Sequence, residues 1–121
     1  IFHVYCKYQD VGSPPEIDIR VALHLYRIAQ EAVHNAIKHG GARNIKLALT
    51  YADPTLTLSI QDDGCGIPAN ANQHGGMGLA IMKYRATTIG ALLKVGRGRR
   101  GGTVVTCSWK STDYIQDKQP E

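Results

Sequence analysis

The sequence has little of what marks several large classes of protein. Its three cysteines, Cys6, Cys65 and Cys107, are odd in number and widely spaced, which argues against a disulfide framework and against a CxxC zinc or redox site. No apolar run approaches the length needed to span a bilayer. No basic, apolar, small-residue stretch at the N-terminus reads as a signal peptide, and a reducing cytosol is the expected compartment. A Walker A sequence, GxxxxGK followed by Ser or Thr, is absent, so the chain is not a P-loop protein. Repeats and low-complexity segments are lacking too. What remains is 121 residues, 43% hydrophobic and 20% charged, the composition of a single soluble globular domain. The net charge of +4 suits polyanions from a nucleoside triphosphate to a nucleic acid and does not choose between them.

Periodicity divides the chain. Residues 2–8 alternate loosely and are rich in β-formers, so they read as a strand that the Gly-Ser-Pro-Pro at 12–15 ends. From Ile17 to His39, Val21, Leu25, Ile28, Ala32, Ala36 and Ile37 recur at helical spacing. This predicts a long amphipathic helix stopped by Gly40 and Gly41. Residues 44–51 and 55–61 alternate with period two around Ala-Asp-Pro-Thr and predict a hairpin. A Gly-, Asn- and Asp-rich loop covers 62–77, and loops of that length are usually functional. Residues 79–89 read as a second helix, and 91–95 with 103–109 as a second hairpin. The order predicts an α/β two-layer sandwich: a mixed, mostly antiparallel sheet of about five strands with both helices on one face. The domain is expected over 1–110, with a polar tail over 111–121.

Two polar features carry candidate chemistry. Glu31, Asn35 and Lys38 or His39 share one helical face, set opposite much of the Leu25, Ala32, Ala36 stripe. An amide oxygen there suits Mg²⁺, which keeps waters and phosphate oxygens. A neighbouring Lys offsets phosphate charge, and Glu31 can orient or deprotonate a hydroxyl or water. By spacing alone the same row is an ordinary solvated ladder.

The second feature is the loop. DDGCG at 62–66 follows an apolar strand, and GGMG at 75–78 leads into a helix. Glycines there let backbone approach a phosphate, and the helix start near Gly78 favours an anion. Leu58 and Ile60 should face the core, so Asp62 falls at the rim of an apolar pocket. There its carboxylate would accept from an adenine amino group, whereas guanine would oppose it with a carbonyl at a cost of about 1–3 kcal/mol.

Read together, QEAVHNAIKHG at 30–40, DDGCGI at 62–67, GGMGLAIM at 75–82 and GGTVV at 101–105 resemble the N, G1 and G2 boxes and final strand of histidine-kinase ATP-binding domains. The resemblance covers nearly the whole chain. These domains have the Bergerat fold, shared with DNA gyrase, a heat-shock chaperone family and mismatch-repair ATPases. The phrase GMGLAIMKYRA is similar to the nitrate-type and degradation-type sensor kinases, although Gln30 rather than His precedes Glu31.

The resemblance implies ATP and Mg²⁺ as ligands and a particular set of roles. Asn35 would ligate Mg²⁺, Glu31 would assist a metal-bound water or phosphoryl transfer, and Lys38 and His39 would approach the phosphates. Asp62 would bind the adenine amine with Thr103 close by. Gly64, Gly66, Gly76 and Gly78 would shape the lid, with Ile67, Met77 and Leu79 beside the nucleotide. It also implies partners: a dimerisation domain of the same parent protein, which carries the phosphoacceptor histidine, and a downstream response regulator. None of His3, His24, His34, His39 or His74 has the acidic neighbour of a phosphoacceptor, so that histidine is expected on a preceding segment. The parent is then a cytosolic or membrane-anchored sensor.

Other residues have plainer readings. His24 and His34 read as surface or boundary residues, Cys65 as a small loop residue, and Trp109 as packing. Arg97, Arg99 and Arg100 form a basic turn without the interleaved aromatics that stack bases, so no direct nucleic acid contact is expected. Two alternatives stand beside the sensor kinase: an anti-sigma-factor-type serine kinase with the same boxes, and a nucleic-acid-binding module built on that turn.

Overall fold

The long stripe of the sequence becomes α1 (Ile19–Lys38), whose buried face carries Val21, Leu25, Ile28, Ala32 and Ala36. Asp18 opens it by accepting from the Arg20 backbone N–H at 2.8 Å, a side-chain N-cap. At the other end the Gly40 N–H bonds the Asn35 carbonyl and the Ala42 N–H bonds that of Ala36, with Gly41 at φ +61. A left-handed glycine there closes the helix and turns the chain back.

This computed structural model describes residues 4–14, 16–66, 76–99 and 101–111. Around α1 run β1 (Tyr5–Val11), β2 (Asn44–Ala52), β3 (Thr55–Asp62), α2 (Met77–Thr88), β4 (Leu92–Arg97) and β5 (Thr103–Lys110). The strands form one sheet in the order β1-β2-β3-β5-β4. β1 and β2 are parallel, joined through α1, and every other pair is antiparallel.

Register explains the core. Leu47, Ile60, Val105 and Val95 align in one row across the sheet, Leu49, Leu58, Cys107 and Leu93 in the next, and Tyr51, Leu56 and Trp109 in a third. These rows meet α1 over β3 and α2 over β4, and the helices pack on each other. Each fully buried Ile or Leu, such as Ile28, Leu56 and Ile60, contributes about 1.5–3 kcal/mol. Burial also pushes the Cys107 thiol up to about 11. The opposite face carries Lys46, Thr57, Ser59, Thr106 and Ser108, an alternation expected of a sheet covered on one side.

The elements and their order match the periodicity, and the bounds shift by one to three residues at most ends, two of the shifts bearing on the site. The first strand runs Tyr5–Val11 rather than 2–8, because its parallel pairing with residues 44–50 sets its limits; Phe2 lies outside the described residues. The second helix begins at Met77 rather than Leu79, which takes Gly78 into its first turn.

Candidate functional site

Asp62 ends β3 on the helix-covered face and is only 8% exposed. Its Oδ1 accepts from the Gly64 N–H at 2.8 Å and from the Thr103 N–H at 3.3 Å. Oδ2 accepts from no described residue. The approach of Gly102 and Thr103 that makes this possible requires glycine. Gly102 has φ +75, and a Cβ there would overlap the Asp62 carbonyl oxygen.

A second close approach ties this strand end to α1. The Cys65 N–H bonds the Gly40 carbonyl at 2.9 Å, and a Cβ on Gly64 would lie 2.6 Å from that same oxygen. Next door, Asp63 Oδ1 accepts from the Arg43 and Asn44 backbone N–H groups, both at 2.9 Å, and Oδ2 from Asn44 Nδ2 at 2.8 Å. The Asn44 side-chain bond, followed by those backbone bonds, holds the Asp63 carboxyl down at about 2. Adjacent acids thus have different work: Asp63 fastens the loop after α1, and Asp62 faces inward.

The result is a cavity of about 180 Å³, smaller than the pocket that would enclose a whole drug-sized ligand and suited to one end of an elongated one. Ile60, Val105, Val95 and Met82 make its apolar lining, and Ala32, Asn35, Ala36 and His39 make the wall from α1. Asp62, Thr103 and Gly66 supply polar groups. The row on α1 therefore flanks the apolar stripe instead of standing opposite to it. Helical geometry puts Asn35 only about 60–100° from Ala32 and Ala36, and α2, packed over that flank, makes it a wall of the cavity. A Cβ on Gly78 would overlap the Glu31 carboxylate and lie 3.1 Å from Asn35 Nδ2. The first turn of α2 has no side-chain cap and no acid, so its N–H groups favour an anion.

The structure thus brings Asn35, His39, Asp62, Gly66 and Thr103 around one cavity, with Glu31 and Gly78 in contact beside Asn35. Other sequence candidates stand apart. Lys38 is exposed and outside the cavity wall. Gly64 makes a close approach to Gly40 and Gly76 stands in open space before α2, neither lining the cavity; Met77 is 80% exposed, and Leu79 packs against the core. Ile67 lies outside the described residues, as do His3, His74 and Arg100. Sequence reasoning missed the close approaches of Gly40 and Gly102, although both belong to Gly-Gly pairs. It also missed Met82 and Val95, whose apolar character alone carries no site signal.

His24 is half-buried between the helices, where Arg85 Nη1 lies 3.3 Å from its Nδ1. His34, Arg97 and Arg99 are exposed. Among the described residues there is no group of three or more His, Cys, Asp or Glu that could hold a metal, and no helix is long and apolar enough to cross a membrane.

Residues 20–113 match the family model described as histidine kinase-, DNA gyrase B-, and HSP90-like ATPase. The nitrate/nitrite sensor protein NarX of Escherichia coli K12 is 36% identical over 111 residues, covering 91% of this chain and 19% of NarX. Its counterpart NarQ is 37% identical over 98 residues, covering 80% of this chain and 17% of NarQ. The chain thus spans about a fifth of the length of these curated relatives.

Among solved structures, the histidine kinase domain of the blue-light activated kinase EL346 of Erythrobacter litoralis superposes with a TM-score of 0.77 at 23% identity. That match covers 92% of this chain and 54% of the other. The ATP-binding domain of PrrB from Mycobacterium tuberculosis gives 0.62 at 20% identity, over 86% and 79% of the two chains. At such identities these structures speak for the fold. Neither the anti-sigma-type serine kinase nor the nucleic-acid module is favoured by these relatives. The chain belongs to the histidine kinase-, DNA gyrase B- and HSP90-like ATPase family, as an ATP-binding domain of the sensor histidine kinase kind.

Proposed function

We propose that this domain binds ATP with Mg²⁺ and presents the γ-phosphate to a histidine on a dimerisation domain of its parent protein. The observation that carries the proposal is that Asn35 and Asp62, from different layers of the fold, line one cavity. Asp62 is fixed through Oδ1, and its Oδ2 would accept from the adenine amine. This selects adenine over guanine by leaving no acceptor opposite an acceptor. The base would enter between Ile60, Val105 and Met82, which exclude water.

Asn35 would hold Mg²⁺ through its amide oxygen. A site with one protein oxygen suits a cation that fills its shell with waters and phosphate oxygens, and the donors present are of that kind rather than a cage. Bound there, the metal would supply charge neutralisation on the phosphates. Glu31, beside Asn35, would orient a metal-bound water or the incoming group. His39 at the cavity rim and Lys38 beyond it would meet the phosphates, with the backbone of Gly64, Gly66, Gly76, Met77 and Gly78 around them. Ile67 and Leu79 complete the proposed surroundings. Catalysis would then rest on positioning and charge neutralisation. A response regulator would receive the phosphoryl group downstream, and the parent would be a cytosolic or membrane-anchored sensor.

Titration calorimetry with Mg²⁺ tests this. The parent should bind ATP and not GTP, and Asp62→Asn should weaken binding about tenfold or more, since an amide donor would face the adenine amine. Asn35→Ala should remove the gain in affinity that Mg²⁺ gives. Absence of ATP binding, or equal binding by both variants, ends the proposal.

A further inference from the structure

α1 and α2 meet along an antiparallel seam with a close backbone approach at one end and a polar contact at the other. At one end Gly78 lies on Glu31 and Asn35; at the other Arg85 Nη1 lies 3.3 Å from His24 Nδ1. His24 and Glu31 are seven residues apart, as are Gly78 and Arg85. Seven residues are two helical turns, about 10.5 Å on either helix, so both contacts belong to one register. Between them lie Ile28 and Met82, buried and apolar.

Apolar burial is non-directional and does not choose that register. Nor does the pattern of α2. Met82 and Ala86 are buried, yet Met77, Ile81 and Tyr84 form an equally apolar row on the exposed side at 80%, 38% and 70%. A helix that is apolar on both sides has no hydrophobic reason to show one of them to its neighbour. A directional polar contact supplies what is missing.

We propose that the His24–Arg85 hydrogen bond pins the rotation and register of α2 on α1, and thereby positions Gly78 against Glu31 and Asn35 at the metal end of the site. His24 and Arg85 are positioning residues, two turns from Glu31 and Gly78. A guanidinium only donates, so His24 Nδ1 accepts and the neutral ring carries its proton on Nε2.

The inference rests on the nucleotide reading and is tested on the same chain. ATP affinity is measured with Mg²⁺ and with chelator for the parent, His24→Leu, His24→Asn and Arg85→Met, alongside the melting temperature of each. Asn places an amide oxygen near the position of Nδ1, and Met keeps the apolar stem of Arg85. The expected result is that His24→Leu and Arg85→Met lose about three- to tenfold in Mg²⁺-ATP affinity, with metal-free affinity unchanged. His24→Asn should restore the parent value, and nitrogen NMR should show the Nε2–H tautomer in the parent. If His24→Leu and Arg85→Met keep the parent's response to Mg²⁺, or His24→Asn falls with His24→Leu, the pin is refuted. The same holds if the parent ring carries its proton on Nδ1. A parent that binds no ATP at all instead overturns the nucleotide reading, and the pin with it.

Discussion

The two ends of the cavity are built differently. On the sheet side, Asp62 is held by backbone: two N–H groups on Oδ1, the Gly102 approach to its carbonyl, and the Cys65–Gly40 bond that ties the strand end to α1. On the helix side, Glu31 and Asn35 meet α2 through side chains and the bare Cα of Gly78, with one hydrogen bond along the seam at His24. Backbone bonds between adjacent strands cannot be altered without disturbing the sheet. Side-chain contacts between helices can shift by a rotamer or a small slide. The sheet end is thus the rigid half, to which the proposed function assigns the base, and the helix end is the adjustable half, to which it assigns the cation and the reacting phosphate.

The strongest way to break this contrast is Gly102→Ala. It forces a left-handed backbone on a residue with a side chain and drives Cβ into the Asp62 carbonyl. We expect a loss of about 2–3 kcal/mol in stability, read by urea denaturation, together with loss of ATP binding. A variant as stable as its parent would show that the sheet end is more yielding than its geometry implies.

A milder effect is expected from Gly78→Ala, because the Cβ there meets the tip of a flexible Glu31 side chain rather than backbone. Alanine also improves helix propensity by about 1 kcal/mol. The variant should fold at least as well as the parent while losing several-fold in Mg²⁺-dependent ATP affinity, measured by calorimetry with and without chelator. Unchanged affinity would mean that the helix end tolerates more space than proposed.

The smallest effect concerns Asp63, which sharpens the rigid half. Its carboxyl is lowered from 3.8 to about 2, so the folded state favours the ionised form. The resulting stabilisation is complete above the ordinary carboxylate range and is lost as pH falls from about 4 through 2. Asp63→Asn keeps an oxygen for the Arg43 and Asn44 backbone N–H groups, gives up the bond from Asn44 Nδ2, and removes the titration. Its melting temperature should therefore change less than that of the parent across this window, and parallel curves would contradict the assignment.

Much of this was legible in the chain. The spacing of Val21, Leu25, Ile28, Ala32 and Ala36 gives α1 because a single apolar stripe has one way to be buried. The alternation in 55–61 orients Leu58 and Ile60, and with them Asp62. Less legible was α2, whose apolar residues point both ways, and the flank of α1 that carries Asn35. Which side of that helix becomes a cavity wall depends on where α2 lies, and no residue of α1 encodes this.

By itself the sequence determined the elements, their order and the chemistry on offer: a helix with an amide and an acid on one side, a strand ending in a carboxylate, and glycines where chain must pass close to chain. These are local properties, set by periodicity and by the φ angles glycine alone takes freely. Only the tertiary structure decided that the amide and the carboxylate share one space. That outcome needs β5 to insert between β3 and β4, Gly102 to reach the end of β3, and α2 to settle on one flank of α1. Such pairings come from burying surfaces distant in the chain, and many alternative pairings would satisfy the same local pattern.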